Sequence, residues 1–195
     1  MSSIATQSII IAFGVNLFLT FYVLMRHQSW NRALNRSFAV LSFAFALWNL
    51  GAATGISTVI YTGVFMTPPA LYLFLVTLLR RTGRQRRTVS SLLITTSFTL
   101  VVISYWILNG IPFNGTNLHL LNALAAILSL SVFSWGAYRV GNRMRLTKSN
   151  RERARLMYVL AGMTAAAVAG ISAVLTTLGF PLQSWSAVCG LIYTV

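Results

Sequence analysis

The sequence predicts an all-α polytopic transmembrane bundle with six full spans, the start of a seventh, and the N-terminus outside. Three observations carry this. Hydrophobic residues make up 56% of the 195 positions and charged residues only 8%, whereas a soluble domain carries roughly 25% charge to cover its surface. Six segments are each long enough for the ~20 apolar residues of a membrane helix: 4–25, 37–54, 58–79, 89–108, 118–138 and 156–178. None of them contains Asp, Glu, Lys or Arg. Finally, all 15 basic residues fall in three blocks between these segments.

The first segment follows a stretch, Met1 to Ser8, without Lys or Arg, and positive charge comes after it. That order suits a retained first helix and not a cleaved signal peptide. The second segment ends at Gly51 and Gly55, which predict a tight turn into the third. Asn109, Gly110, Pro112, Asn114 and Gly115 break the chain between the fourth and fifth segments, and Gly179 with Pro181 ends the sixth. A seventh apolar segment starts near Trp185 and reaches Val195. As a helix it would rise only about 16 Å, half a bilayer core. The sequence therefore predicts one membrane domain over 1–195, truncated within its seventh helix. Trp30, Trp106 and Trp185 fall near predicted interfaces, as an aromatic belt requires.

Charge sets the orientation. The block 26–36 holds Arg26, Arg32 and Arg36. The block 80–87 holds Arg80, Arg81, Arg84, Arg86 and Arg87. The block 139–155 holds Arg139, Arg143, Arg145, Lys148, Arg151, Arg153 and Arg155. They alternate with uncharged connections at 55–57, 109–117 and 179–184. The positive-inside rule puts the basic blocks in the cytoplasm, where anionic lipid headgroups are the expected partners. The net charge of +14 thus follows from membrane topology. No aromatic-and-basic module marks a nucleic-acid binder.

The composition also limits the chemistry. Glu152 is the only carboxylate and Cys189 the only cysteine, and there are two histidines. No internal disulfide and no Cys/His metal site can be assembled. The apolar segments hold no lysine for a retinal Schiff base and no carboxylate for a proton relay. No phosphate loop or nucleophile motif occurs. The sequence predicts no catalytic residues and implies no cofactor.

A few features stand out against this background. Pro68-Pro69 lies in the middle of the third segment, where two missing backbone donors predict a kink; it reads as a hinge or as a fixed structural bend. Trp48 and Asn49 in the second segment share a predicted depth with His119 and Asn122 in the fifth, and these four are the candidate lining of an outward-facing pocket. The plainer reading makes them interfacial side chains bonded to water and headgroups. Gly162, Ala166 and Gly170 repeat at four-residue spacing, which predicts close helix packing within the bundle or in a homodimer. Arg151 to Arg155 reads as a solvated anchor or as an amphipathic extension of the sixth helix. Asn114-Gly115-Thr116 fits the glycosylation pattern on the outer side, a frequent chance match that means nothing if the source is bacterial.

Three stretches carry a family likeness. They are Asn35-Arg36-Ser37-Phe38 with Ser42 and Leu47-Trp48; Pro68-Pro69-Ala70-Leu71-Tyr72-Leu73-Phe74; and Arg151 to Leu156 leading into a glycine-bearing helix, followed by Gly179-Phe180-Pro181. With these, the chain resembles the N-terminal seven-helix membrane region of bacterial sensor histidine kinases. The resemblance implies a sensor or input domain that passes an extracytoplasmic or membrane stimulus to a cytoplasmic output domain beyond Val195. The connection between the second and third segments is short for that family. The alternative expectation is a structural or accessory subunit of a larger membrane complex, such as a bioenergetic one.

Overall fold

The computed structural model describes residues 3–25, 32–79, 84–110 and 115–177. They form six helices: α1 (Ser3–Met25), α2 (Arg32–Thr54), α3 (Ser57–Leu78), α4 (Arg84–Gly110), α5 (Gly115–Leu146) and α6 (Asn150–Thr177). No strand occurs among the described residues. Five of the helices, α1 to α5, are long and apolar enough to cross a membrane. The expected seventh segment, with Trp185 and Cys189, lies outside the described residues, as do Trp30, Gly179 and Pro181.

The bundle is organised around α3. It packs against α2, α4 and α5, while α1 packs on α2 and α6 on α5. The membrane-crossing window of α3 is 61% buried, against 11% for α4. The sequence of α3 carries two apolar stripes that explain this. Ile60, Gly63, Thr67 and Phe74 fall on one face, and Tyr61, Phe65, Pro68, Tyr72 and Leu75 on another, at the three- and four-residue spacing that keeps side chains in register.

The first stripe meets α2, antiparallel. A Cβ at Gly63 would collide with the backbone of Trp48 and stand 2.9 Å from the Ala44 carbonyl oxygen. A Cβ at Gly51 would likewise meet the Ile60 backbone. Further along, Phe38 lies against Phe74 with ring centroids 5.7 Å apart. The hairpin is thus a backbone-to-backbone contact that only glycine permits. The sequence reading placed both Gly51 and Gly55 in the turn. Gly55 is there, at φ +72°, and α3 begins two residues later. Gly51 instead sits inside α2, because close packing and not the turn requires it.

The second stripe meets α5, and these two helices run parallel. Tyr61 pairs with Asn122, Tyr72 lies 5.0 Å from Trp135, and Leu75 fills the space beside Gly136. The Met163 methyl of α6 reaches the same space above Gly136, so this glycine brings three helices together. Leu41, Phe45, Leu71, Leu75, Val132, Val140, Leu156 and Met163 form the main core. A smaller cluster of Tyr61, Phe65, Leu121 and Ala125 closes the opposite end of α3, with Leu100, Val101, Ile107 and Leu108 of α4 against it.

α1 buries a stripe of small and polar residues, Ser8, Ala12, Asn16 and Thr20. Their polar groups are partly satisfied within the helix. Asn16 Nδ2 donates to the Ala12 carbonyl at 2.8 Å, and Thr20 Oγ1 to the Asn16 carbonyl at 2.8 Å.

The helix ends differ from the expected span ends on the basic side. α2 begins at Arg32, α4 at Arg84, and the block 139–155 is helical except at 147–149. The helices therefore run on into the basic blocks instead of stopping at them. These basic ends all fall at one end of the bundle, opposite Gly55 and the connection from α4 to α5.

Candidate functional site

In an apolar bundle the informative groups are buried polar ones, since each needs a partner. Tyr61 on α3 and Asn122 on α5 supply a long-range hydrogen bond between two apolar helices. The Tyr61 hydroxyl donates to Asn122 Oδ1 at 2.8 Å. Tyr61 is buried, and its ring stacks on Phe65 at 6.1 Å. Asn122 Nδ2 is also buried and has no hydrogen-bond partner. An amide has two donors and one acceptor oxygen. Here the acceptor is used and the donors are not.

Leu121 and Ala125, beside Asn122 and one turn from Leu121 respectively, are both buried in the Tyr61–Phe65 cluster. The polar pair therefore sits at the edge of an apolar plug at the uncharged end of the bundle. Ser104 on α4 is 1% exposed and spends its hydroxyl on its own helix, donating to the Val101 carbonyl at 2.8 Å.

Of the four pocket candidates, Asn122 makes this contact. Trp48 lies on α2, with its backbone against Gly63 and its ring 6.3 Å from that of Phe45. Tyr61 and Gly63 are two positions apart, about 200° around the helix axis. Asn122 and Trp48 thus reach α3 from opposite sides, and α3 stands between them. Asn49 is half-buried on α2. His119 is exposed at the start of the α5 span. No cluster of three or more His, Cys, Asp or Glu that could hold a metal occurs among the described residues.

Pro68 and Pro69 lie inside α3, which continues as helix through both. Both are buried, and Pro68 is on the α5-facing stripe. They remove the donors that would reach the carbonyls of Val64 and Phe65, one turn earlier. Thr67 Oγ1 donates to the Gly63 carbonyl at 2.9 Å, adding a side-chain bond just before the weakened turn. Gly162 faces open space, with nothing within 4 Å of an added Cβ. The side chains of Ala166 and Gly170 lie outside the described residues.

Tyr61 was not singled out from the sequence, although a signal was present. A tyrosine within an apolar helix carries a hydroxyl that must find a partner. Asn16 was passed over in the same way, despite its place in the four-residue repeat of α1. No family model, curated protein or solved structure matches the chain.

Proposed function

We propose that the chain is the membrane-embedded input region of a bacterial signal-transduction protein of the histidine-kinase type, lying in the inner membrane with its basic segments in the cytoplasm. The observation that carries the proposal is the Tyr61–Asn122 bond with its unpaired amide. It joins the central helix to α5 by one polar link at the end away from the basic residues. It lies on the same stripe as Pro68, in a helix with two backbone bonds missing.

Such a link can act as a switch. In membranes a side-chain bond between helices contributes about 0.6 kcal/mol on average, and a change of that size shifts a two-state population about threefold. A stimulus that competes for the Asn122 amide, or that alters lipid packing around it, would release α3 from α5. The flexible turn at Pro68-Pro69 would then let the two halves of α3 move separately. The polypeptide beyond α6 would pass the shift to the output domain. Coupling of this kind requires that the stimulus favour one of the two states.

The test uses the native full-length polypeptide in lipid nanodiscs. It should carry a phosphotransfer domain after Val195, and its autophosphorylation should change when Pro68→Ala/Pro69→Ala restores the missing donors. Correct insertion of the variant with unchanged signalling would remove the hinge. A native polypeptide without an output domain, purifying in fixed ratio with other membrane subunits, would replace the input reading by that of an accessory subunit.

A further inference from the structure

We infer that the α5–α6 hairpin at the basic end is a binding site for the phosphate of an anionic phospholipid, with Arg139 as its central ligand. The inference needs the membrane but not the signalling role. Its first support is depth. Tyr138 and Tyr158 are 66% and 75% exposed and stand at equal distances from the 147–149 turn, one on each helix. Exposed tyrosines at matched height mark the headgroup level of a membrane helix pair. Beyond them α5 continues to Leu146, and α6 begins at Asn150. Each arm extends about 12 Å past the tyrosines at 1.5 Å per residue. That reach fills the headgroup layer, about 5–8 Å per leaflet, and clears it only slightly.

The second support is charge. Arg143, Arg145, Lys148, Arg151, Arg153 and Arg155 are all exposed on these arms. Glu152, the only carboxylate in the chain, pairs with Arg143 at 3.2 Å. The protein therefore supplies no counter-charge for the other cations. Leu146 and Met157, 75% and 55% exposed, stand among them. Exposed apolar side chains interleaved with cations suit a lipid interface better than a soluble acidic partner.

The third support is Arg139 itself. It is half-buried between buried Gly136 and Val140, its Nε is fully enclosed, and that atom has no hydrogen-bond partner. Its guanidinium carbon is 5.8 Å from the Tyr138 ring centroid. A buried donor without an acceptor is costly, and the guanidinium always keeps its charge. At this depth the available anion is a lipid phosphate, which this half-buried residue would meet through its outer guanidinium nitrogens, and through Nε only once the neighbouring side chains uncover that atom.

The test is native mass spectrometry of the chain released from nanodiscs of phosphatidylcholine mixed with phosphatidylglycerol. The wild type should retain phosphatidylglycerol in preference to phosphatidylcholine. Arg139→Gln should lower that retention roughly tenfold or more, the loss of at least one charge-assisted bond. Arg139→Lys should not restore it fully, since lysine keeps the charge and loses the fork. Arg32→Gln, at the same end of the bundle on α2, should leave it unchanged. Thermal unfolding in detergent checks that each variant is folded, and if Arg139→Gln is not, Arg139→Lys carries the comparison. Equal retention of the two lipids, or equal losses from Arg139→Gln and Arg32→Gln, would overturn the inference. So would displacement of the retained lipid by millimolar inorganic phosphate, which would identify a free-anion site.

Discussion

The Tyr61–Asn122 bond can be measured by a double-mutant cycle, because its two partners have unequal alternatives. Tyr61→Phe keeps the ring on Phe65 and removes only the donor. Asn122 then has an unpaired oxygen beside its already unpaired nitrogen. The expected cost is about 0.6–1.7 kcal/mol, the range for interhelical polar bonds in membranes. Asn122→Leu also breaks the bond, but it takes away a buried amide whose donors had no partner. Its net effect should be smaller than that of Tyr61→Phe, or stabilising. In the double variant no polar group remains to be satisfied at the site. Combining the two substitutions should therefore cost less than the sum of the single effects, with a coupling of about 0.5 kcal/mol or more. The assay is unfolding by sodium dodecyl sulfate titration in mixed micelles, followed by helical circular dichroism. Additive single effects within about 0.3 kcal/mol would show that the bond contributes nothing in the bilayer-like state, and the switch built on it would fall with it.

Two further outcomes follow from the packing. Gly63→Ala should destabilise by about 1–3 kcal/mol, because its methyl meets the Trp48 backbone; Gly136→Ala should cost less, since its methyl meets the ends of Leu75 and Met163, and Gly162→Ala should be neutral in the monomer, all read by the same titration. Glu152→Gln should change stability by less than about 1 kcal/mol, because the Arg143–Glu152 pair is half-exposed on both sides; a larger loss would show that the hairpin depends on this pair.

What the sequence conveyed and what it hid separate along physical lines. The positions of the apolar helices are legible because hydrocarbon excludes charge, so apolar length marks them; five of the six expected full spans coincide with helices long and apolar enough to cross a membrane. The helix ends on the basic side are not legible in the same way. Arg139 is the first charge after the fifth apolar run, and nothing in that charge stops the helix, which runs on to Leu146. Gly55 and Gly51 look alike in sequence, yet one supplies a positive φ and the other a close approach to Ile60. Which role a glycine has depends on the neighbour it faces, and that neighbour is set by the pairing of helices. The site shows the same limit. Trp48 and Asn122 have similar depth, and depth can be counted along a chain. Their direction around α3 cannot be counted until the partners of α3 are known, and it is direction that puts Tyr61, not Trp48, beside Asn122.

The place of α3 gives the two prolines their importance. In a peripheral helix such as α4, with little of its surface buried, a missing pair of backbone bonds would bend one helix against lipid. α3 instead holds α2 through glycine contacts and α5 through Tyr61, Tyr72 and Leu75. The prolines divide the α5-facing stripe: Tyr61 and Phe65 lie on one side, Tyr72 and Leu75 on the other. Motion at that point changes the α3–α5 contact at one end while the other end stays packed. The glycine contacts to α2 lie on the Tyr61 side, at Ile60 and Gly63, while Phe38 meets Phe74 beyond the prolines, so α2 spans both halves of α3. The second half also meets α5 and α6 through Leu75, Gly136 and Met163. Movement at the prolines would therefore be read at the α3–α5 contact, where the Tyr61–Asn122 bond lies on one side of them and the Tyr72–Trp135 contact on the other.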